Sequence, residues 1–528
     1  MSEWSSGYVV DVGYTHGFYQ ELTPSFLGLL SLIHGFRSPG LDDEPLTYCE
    51  LGCGQGFSTN LLAAANPHIQ FYATDFNPSH IAGAQALAQS ARLKNVHFSD
   101  DSFAEFLNRD DLPDFDFITL HGIYSWISAE NRQAIVQFIR KKLKPGGVVY
   151  ISYNAMPGWA AVMPLRRLLV EHAEAQGSSR PLLSRISNSL EFAKKLSGLD
   201  TRYFASHPKL ASRVDSLKGK NLNYIAHEYF NKDLPPFYFT DLAQELSGAK
   251  LTWVGSASVL DTIDSIHMTE EQRQFLSEID NVALRQTVRD HIIDQQFRRD
   301  IFIKGPAPLA KGAATEMWLD TRFALTCKSK DIPKQLTGLR YKAELRADLY
   351  DPLIAALEKG PQTLRDVMAQ PDMAKTSTGR VIQAISYLVA LGACHPCLPQ
   401  QSFAERKIQT DRFNKAVAEE ARYSPKFSYF ASGVTGSGIS VDRVNQLIWL
   451  ALHNKEKDVP EFVRSTLSKM GHKLVKDGKV LATPEENLAE IRGRMSVFEE
   501  DTMPLWRAIG ISPEAPSSSA SEEKRMRA

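Results

Sequence analysis

Three closely spaced glycines preceded by an acid form the stretch of this chain that is best suited to chemistry. In order, the residues are Glu50, Leu51, Gly52, Cys53, Gly54, Gln55 and Gly56. Leu46 to Cys49 can extend as a strand before them, and Phe57 to Ala65 has helical spacing after them. Glycine can adopt positive φ and leaves the backbone bare, so a strand-to-helix turn of this kind can lie directly under a nucleotide-like ligand.

The spacing of the glycines narrows the choice of ligand. A dinucleotide-binding turn has the pattern Gly-x-Gly-x-x-Gly and places a phosphate at the helix N-terminus. Here the glycines alternate with other residues, and the carboxylate of Glu50 would repel a pyrophosphate. The same acid tolerates a ligand that carries an amino acid and a sulfonium instead of phosphates. Taken alone, the turn could also have only a packing role.

A second acid follows the next predicted strand. Asp75 ends the strand Ile69 to Thr74, and Asn77-Pro78 predicts the start of a helix that runs through Leu93. An acid about 20 residues after the glycines is placed to accept hydrogen bonds from ribose hydroxyls. A simple turn acid is the alternative for this position.

The glycine stretch resembles the first motif of class I S-adenosylmethionine-dependent methyltransferases. The resemblance implies S-adenosyl-L-methionine as the cofactor and a Rossmann-like sheet of seven strands. It also implies that a polar group after the third strand, Val96 to Phe98, bonds the adenine amine while an apolar neighbour covers the ring. The residues predicted to bind the cofactor are Tyr14, Glu50, Gly52, Cys53, Gly54, Gly56, Asp75, Phe76, Asp101, Ser102, Phe103 and His121.

Polar and aromatic residues follow the fourth and fifth predicted strands, Phe115 to Leu120 and Val148 to Tyr153. Catalytic groups collect beyond the carboxyl ends of strands in open α/β sheets. Aromatic rings there could line the path of the methyl group and attract a cationic substrate, or could simply pack under the next helix. The predicted catalytic residues are His121, Tyr124 and Tyr153, and the predicted substrate-binding residues are Trp126, Asn154 and Trp159.

Later motifs resemble a narrower group, the bacterial methyltransferases that carry a methyltransferase regulatory domain. The motifs are His121-Gly-Ile-Tyr-Ser-Trp126, Ser152-Tyr-Asn-Ala-Met-Pro-Gly-Trp159, His227-Glu-Tyr-Phe230 and Phe297-Arg-Arg-Asp-Ile-Phe302. That group includes the rickettsial protein-lysine methyltransferases. The likeness covers residues 8–305 well and the remainder loosely. The chain lacks the Asp/Asn-Pro-Pro-Tyr motif of amide and base N-methyltransferases, which argues against a nucleobase or glutamine acceptor.

Length, charge and cysteine content set the outer limits. A chain of 528 residues is too long for one core and predicts about three domains. Lys and Arg number 60 against 61 Asp and Glu, so composition does not indicate nucleic acid or an anionic membrane as a partner. Without a long apolar run or a signal pattern, no membrane insertion is expected. Five cysteines are typical of reduced thiols in the cytoplasm.

The predicted fold is α/β, a seven-stranded class I methyltransferase sheet with helical insertions and a mainly α C-terminal domain that includes a winged-helix-like part. The predicted segments are a lid over 1–45, a methyltransferase domain over 46–305 with a helical insertion at 155–236 and a regulatory insertion at 257–296, a linker with a winged-helix-like domain over 306–400, a helical domain over 401–511, and a disordered tail over 512–528. In the lid, Tyr14 and His16 could line the site or belong to an ordinary amphipathic cover. No metal site is predicted, because Cys394-x-x-Cys397 and His227-Glu228 each lack partner ligands.

The sequence favours a cytoplasmic methyltransferase that modifies lysine side chains of a protein substrate. Two alternatives remain open at this point. One keeps the cofactor and changes the acceptor to a sugar or another small metabolite. The other is a non-catalytic interaction protein that senses the cofactor. An open acidic groove would favour a basic protein segment as the acceptor, whereas a small closed pocket would favour a metabolite.

Overall fold

Seven strands form the central sheet of the protein, whose computed structural model describes residues 16–40 and 46–513. The strands are β1 (Leu46–Leu51), β2 (Ile69–Thr74), β3 (Val96–Ser99), β4 (Phe115–Leu120), β5 (Leu143–Asn154), β6 (Leu251–Ser256) and β7 (Phe297–Lys304). Their order across the sheet is β3-β2-β1-β4-β5-β7-β6, and β7 runs antiparallel to both of its neighbours. The predicted class I methyltransferase sheet is thereby confirmed.

Both faces of the sheet are covered, which is why β1 and β4 are buried along their whole length. Alternate residues of one strand enter different cores, since Tyr48 joins one cluster and Cys49 joins the other. Helix α1 (Pro24–Ile33) precedes β1, and the helices that follow the first four strands are α2 (Phe57–Ala65), α3 (Pro78–Ser90), α4 (Phe103–Leu107) and α5 (Ala129–Lys142). The carboxyl ends of β1, β2 and β4 therefore meet at one edge, where the glycine turn lies.

Two helical segments interrupt the sheet domain. The first contains α6 (Val162–Ala175), α7 (Leu182–Ser197), α8 (Arg202–Ser206), α9 (Lys209–Lys218) and α10 (Leu222–Tyr229). It has its own apolar cluster, which includes Trp126 and Trp159. After α11 (Phe239–Ser247) and β6, the second segment contains α12 (Asp264–His267), α13 (Glu270–Ser277) and α14 (Val282–Ile293). Helices in both segments agree with the helical insertions expected from the sequence.

The region after β7 has a winged-helix-like arrangement. Its elements are α15 (Lys311–Asp320), β8 (Arg322–Leu325), β9 (Gln335–Thr337), β10 (Lys342–Glu344), α16 (Ala347–Glu358), β11 (Gln362–Thr363), α17 (Leu364–Met368), α18 (Thr378–Ala390) and β12 (Cys394–Pro396). The strands β11, β8 and β12 form a small sheet, and each of the helices α16, α17 and α18 contacts one of these strands.

The C-terminal region is mainly helical and packs directly on the sheet domain. It comprises α19 (Phe403–Glu420), β13 (Tyr429–Ser432), β14 (Ser437–Ser440), α20 (Arg443–His453), α21 (Val459–Lys469), β15 (Val475–Lys476), β16 (Lys479–Val480), α22 (Pro484–Val497) and α23 (Met503–Ala508). Both α19 and the β13–β14 hairpin contact α2. One hydrophobic cluster extends from Phe18 to Ile511, so the core crosses the boundaries predicted near residues 305 and 400. The division into domains at those residues stays a prediction.

Among the helices of residues 16–40 and 46–513, none is long and apolar enough to cross a membrane. In the same ranges, no group of three or more His, Cys, Asp or Glu side chains is placed to hold a metal ion.

Candidate functional site

The glycine turn joins β1 to α2 with all three glycines at positive φ. The φ angles are 74° at Gly52, 53° at Gly54 and 64° at Gly56, which is the left-handed region that favours glycine. Gly56 is also the residue that precedes α2, and a Cβ atom on it would lie 2.4 Å from the Cβ of Ala84. The turn can therefore present bare backbone only if these positions remain glycine.

Asp75 holds the turn in place from the end of β2. Its Oδ2 accepts a hydrogen bond from the backbone N–H of Gly54 at 2.9 Å, and its Oδ1 accepts one from the N–H of Asn77 at 3.0 Å. The Nδ1 atom of His80 lies 3.1 Å from the same Oδ1. Asp75 thus lines the cleft and fixes the backbone beneath it, and its predicted contact with ribose hydroxyls stays a prediction.

Asp75→Ala is expected to weaken the binding of S-adenosylhomocysteine by about 1.5–3 kcal/mol, the range for hydrogen bonds to a charged group, or about 10- to 150-fold. The substitution removes the carboxylate that accepts a hydrogen bond from the glycine turn and that is predicted to accept hydrogen bonds from the ribose. Isothermal titration calorimetry measures the change. Asp110→Ala is a matched control because the Asp110 side chain is 98% exposed. Equal affinity of Asp75→Ala and the wild type would remove Asp75 from the cofactor site.

Glu50 is a buried acid at the end of β1. Its Oε2 accepts a hydrogen bond from the Thr59 hydroxyl at 2.5 Å. The pKa of Glu50 is raised from 4.5 to about 7, mainly by burial; the Thr59 bond opposes this rise, and the nearby charge of Asp75 adds to it. A positively charged ligand beside Glu50 would favour its ionised form.

The raised pKa of Glu50 predicts a pH-dependent cost to folding. Between pH 4.5 and about 7 the unfolded chain releases this proton while the folded protein keeps it, so Glu50 lowers stability as the pH rises and reaches its full cost above pH 7. The cost is on the order of 3 kcal/mol. Glu50→Gln should therefore gain stability over the wild type at pH 8 but not at pH 4.5, as measured by urea unfolding at both values. The variant should also bind S-adenosylhomocysteine more weakly. A stability difference that does not change with pH would contradict this account of Glu50.

A cleft of about 1290 Å³, including its solvent-open mouth, lies over the glycine turn. Four carboxylates line it, and no lysine or arginine does within the described parts of the chain. The four are Glu50, Asp75, Asp101 and Asp233. Burial lowers the pKa of His16 to about 4 and that of His121 to about 3, so these two lining histidines are uncharged near neutral pH. The cleft is therefore suited to positively charged ligands.

Two aromatic rings stack at the end of β4. The rings of His121 and Tyr19 lie 3.6 Å apart between centroids, and both line the cleft. His121 Nδ1 is 2.8 Å from the hydroxyl of Tyr150. Burial is the main cause of the low pKa of His121, with the charge of Arg299 adding to it. A histidine with so low a pKa is a weak base. His121 is therefore better suited to orienting a ligand in the cleft than to removing a proton from it.

Tyr124 and Tyr153, predicted as catalytic, do not line the cleft. Tyr124 is fully buried and donates to Glu245 at 2.8 Å, and Tyr153 is fully buried and donates to Asp300 at 2.7 Å. Burial raises the pKa of both hydroxyls. Their placement corrects the expectation that they meet the acceptor, because each hydroxyl is already bound to a carboxylate away from the cleft.

The three predicted substrate-binding residues divide in the same way. Trp126 lines the cleft and is 5% exposed. Asn154 and Trp159 are buried outside the cleft lining, with Trp159 in the cluster of the first insertion and the Arg213 guanidinium 5.2 Å from its ring centroid. A direct contact of Asn154 or Trp159 with substrate therefore does not fit their positions.

The remaining predicted cofactor residues line the cleft, apart from one that the structure does not describe. Cys53, Phe76, Asp101, Ser102 and Phe103 all line it. Asp101 pairs with Arg109 at 3.1 Å, and Ser102 begins α4 as its N-cap, with Glu105 completing a capping box. Tyr14 lies outside the described residues. The adenine contact of Asp101 or Phe103 stays a prediction.

Several lining residues were not predicted from the sequence. His80 carries a recognisable signal, because it falls in the first turn of the helix that follows Asp75. Asp233 follows α10 in a loop and has no such signal. The C-terminal region also supports the cleft: the Phe427 ring stacks on Phe57 with centroids 4.7 Å apart and meets His16 edge-on at 5.1 Å. Phe57 and His16 both line the cleft, so a residue far along the chain fixes one of its walls.

The residues of this cleft fit S-adenosylmethionine. The glycine turn offers bare backbone, and the carboxylates suit a ligand that carries a sulfonium and an α-ammonium group. The residues that would hold it are those of the turn together with Glu50 and Asp75, with Asp101 and Phe103 farther along the cleft.

Comparison with known proteins places this cleft in a family. Residues 42–201 match the sequence model of a family described as "Methyltransferase domain", and residues 221–304 match one described as "Predicted methyltransferase regulatory domain". The protein sll1526 of Synechocystis sp. is 43% identical over 509 residues, which cover 96% of this chain and 100% of that protein. Protein RP789 of Rickettsia prowazekii is 25% identical over 289 residues, covering 54% of this chain and 51% of that protein.

A solved structure shares the whole fold. PKMT2 from Rickettsia typhi, in complex with AdoHcy, superposes with a TM-score of 0.71 at 18% identity over 95% of this chain and 100% of that one. At that identity the similarity shows the fold. The match to the methyltransferase domain and the residues of the cleft confirm the predicted cofactor, S-adenosylmethionine. The chain therefore belongs to the S-adenosylmethionine-dependent methyltransferases that combine a methyltransferase domain with a methyltransferase regulatory domain.

Proposed function

We propose that this methyltransferase modifies the side-chain amine of lysine in a protein substrate. The observation that carries the choice of acceptor is the charge of the cleft, which has four lining carboxylates and no lining lysine or arginine among the described residues. Such a wall attracts a basic protein segment and repels phosphorylated or carboxylated metabolites. The sequence resemblance to rickettsial protein-lysine methyltransferases and the fold shared with PKMT2 of Rickettsia typhi also favour this acceptor.

The residues of the chain would act mainly by alignment. When bound, S-adenosylmethionine supplies a methyl carbon on a positively charged sulfur, which leaves as a neutral thioether when an amine nitrogen bonds that carbon. The glycine turn and Asp75 would hold the cofactor, and Tyr19, His121 and Trp126 line the same cleft and would orient the acceptor. Holding reactants in line can account for about 7–11 kcal/mol of a barrier.

We propose that the protein acts in the bacterial cytoplasm. All five cysteines are free thiols in the structure, which is typical of a reducing compartment. Both sequence relatives named above are bacterial proteins. Fractionation of a native host, with detection of the protein in the cytosolic fraction, tests this placement, and recovery outside the cytosol would contradict it.

Methyl labelling tests the proposed acceptor. The full-length protein is incubated with methyl-labelled S-adenosylmethionine and a bacterial lysate, and the protein fraction is hydrolysed to amino acids. We expect the label in methylated lysine. Label confined to small molecules would show that the acceptor is a metabolite, and the absence of label from a protein that binds S-adenosylhomocysteine would show a cofactor sensor instead.

A further inference from the structure

Asp233 differs from the other carboxylates of the cleft because no described side chain engages it. Glu50 is bonded to Thr59, and Asp75 is bonded to the glycine turn. Asp101 is paired with Arg109. Asp233 lines the same cleft, yet it forms no hydrogen bond or ion pair with another residue of the described ranges.

Arg166, whose guanidinium feels the charge of Asp233, is occupied elsewhere. Its guanidinium donates to the backbone carbonyls of Tyr229 and Asn231. It acts on Asp233 only through its charge, without contact. A carboxylate at the edge of an acidic cleft, with its hydrogen-bonding capacity unused, is suited to a charged donor that comes from outside the chain.

Aromatic rings line the same cleft as Asp233. Trp126 and Tyr19 line the cleft with it, and Tyr19 is stacked on His121. The indole N–H of Trp126 is buried and has no hydrogen-bond partner in the structure. Rings beside a carboxylate attract a cation through their faces, while an unpaired N–H donor requires an acceptor such as a peptide carbonyl. A lysine residue in a peptide provides both a cation and a carbonyl.

Asp233 comes from a different part of the chain than the predicted cofactor contacts. It lies in the loop after α10, within the first insertion, and Ser128 and Asn131 at the start of α5 line the same cleft. The glycine turn and Asp75 come from β1, β2 and the residues that follow them. The two sets of residues therefore reach the cleft from different elements.

We propose that Asp233, together with the rings of Tyr19 and Trp126, forms the subsite that holds the ammonium group of the acceptor lysine. The inference rests on the proposed function and deepens it by naming the residues that receive the amine. Lysine has a pKa near 10.4 and reaches the cleft as an ammonium ion, which releases one proton to water at the solvent-open mouth before its nitrogen can bond the methyl carbon. The carboxylate of Asp233 accepts hydrogen bonds from that ion, and the rings surround its aliphatic stem.

Calorimetric titration of the full chain, loaded with S-adenosylhomocysteine, tests the subsite without requiring turnover. The ligands are pentalysine and the same peptide with every side-chain amine acetylated. We expect the wild type to bind pentalysine and to bind the acetylated peptide at least tenfold more weakly. Asp233→Asn should lose about tenfold or more in affinity for pentalysine and keep its affinity for S-adenosylhomocysteine. Asp200→Asn is the matched control, since Asp200 is an exposed aspartate of the same insertion, and it should behave as the wild type.

The outcomes distinguish this inference from the proposed function. Wild-type binding of pentalysine by Asp233→Asn, or equal binding of the two peptides by the wild type, would overturn the subsite even if lysine becomes labelled in the lysate experiment. Binding that depends on Asp233, combined with label only in small molecules, would keep the cation subsite and reject protein lysine as the acceptor. A thermal unfolding curve of Asp233→Asn that matches Asp200→Asn excludes misfolding as the cause of any loss.

Discussion

Gly56→Ala is expected to cost about 2–5 kcal/mol of folding free energy and about 100-fold in methyl transfer. The left-handed φ of 64° costs a residue with a Cβ about 1–2 kcal/mol, and crowding in a packed core adds about 1–3 kcal/mol. The new Cβ would lie 2.4 Å from the Cβ of Ala84 and 2.9 Å from the ring of Phe98. Neither atom is the end of a flexible side chain, so the turn itself must move by roughly 1 Å, a displacement that can reduce a rate about 100-fold.

Gly35→Ala is the matched control for this substitution. Gly35 also has positive φ, at 78°, but a Cβ there would meet nothing within 4 Å. The control should lose only the backbone term of about 1–2 kcal/mol and should bind the cofactor normally. Urea unfolding and titration with S-adenosylhomocysteine measure both effects. Equal losses for the two variants would mean that the packing of Gly56 against α3 does not shape the turn.

Phe427→Ala is expected to lower stability by about 3–5 kcal/mol, the usual cost of removing a buried phenylalanine side chain. Phe427 is 8% exposed and stacks on Phe57, the first residue of α2. It also meets His16 edge-on, so its loss should weaken S-adenosylhomocysteine binding about 2- to 10-fold, since an aromatic pair contributes about 0.5–1.5 kcal/mol. Differential scanning calorimetry and titration measure the two changes.

The control for Phe427→Ala is Tyr423→Ala. Tyr423 lies in the same loop between α19 and β13 and is 60% exposed, so its removal should change stability by less than about 0.5 kcal/mol. If Phe427→Ala unfolded the C-terminal helices but left cofactor binding intact, the C-terminal region would be independent of the cleft, contrary to the shared core in which Phe427 lies.

The cofactor half of the fold could be predicted from the sequence because its signals are local. The strand Ile69–Thr74 and the helix Phe57–Ala65 have the predicted bounds, and the glycines and Asp75 meet as their spacing indicates. In each case the turn chemistry and the apolar pattern agree. Asp75 could be predicted because it follows β2, which pairs directly with β1 in the sheet, so its position does not depend on residues far along the chain.

The bounds of the long helix Phe403–Glu420 could not be predicted from the sequence, for a physical reason. Its buried face includes Lys407 and Asp411, which pair at 2.5 Å and are 7% and 9% exposed. Charges on the buried side remove the apolar periodicity from which a helix is predicted. The contact of Phe427 with Phe57 was missed because two residues so far apart in the chain leave no local pattern.

Tyr153 was predicted as catalytic because it lies near the carboxyl end of β5, but that position alone does not place a side chain in the cleft. Successive residues of a strand point to opposite faces, so a position near the carboxyl end of β5 does not decide which side chain reaches the cleft. Tyr150 lies on the face of His121 and contacts it, whereas Tyr153 belongs to the core on the other face. Asp233 could not be predicted, because its position depends on how the first insertion folds back over the sheet.

A crystal structure with S-adenosylhomocysteine would show directly whether the cleft over the glycine turn binds the cofactor. We expect the homocysteine part of the ligand to lie over Gly52 and Gly54 and the ribose to lie beside Asp75. The sulfur should face Trp126 and Asp233. Ligand density outside this cleft, or a sulfur directed away from Trp126 and Asp233, would contradict this expectation.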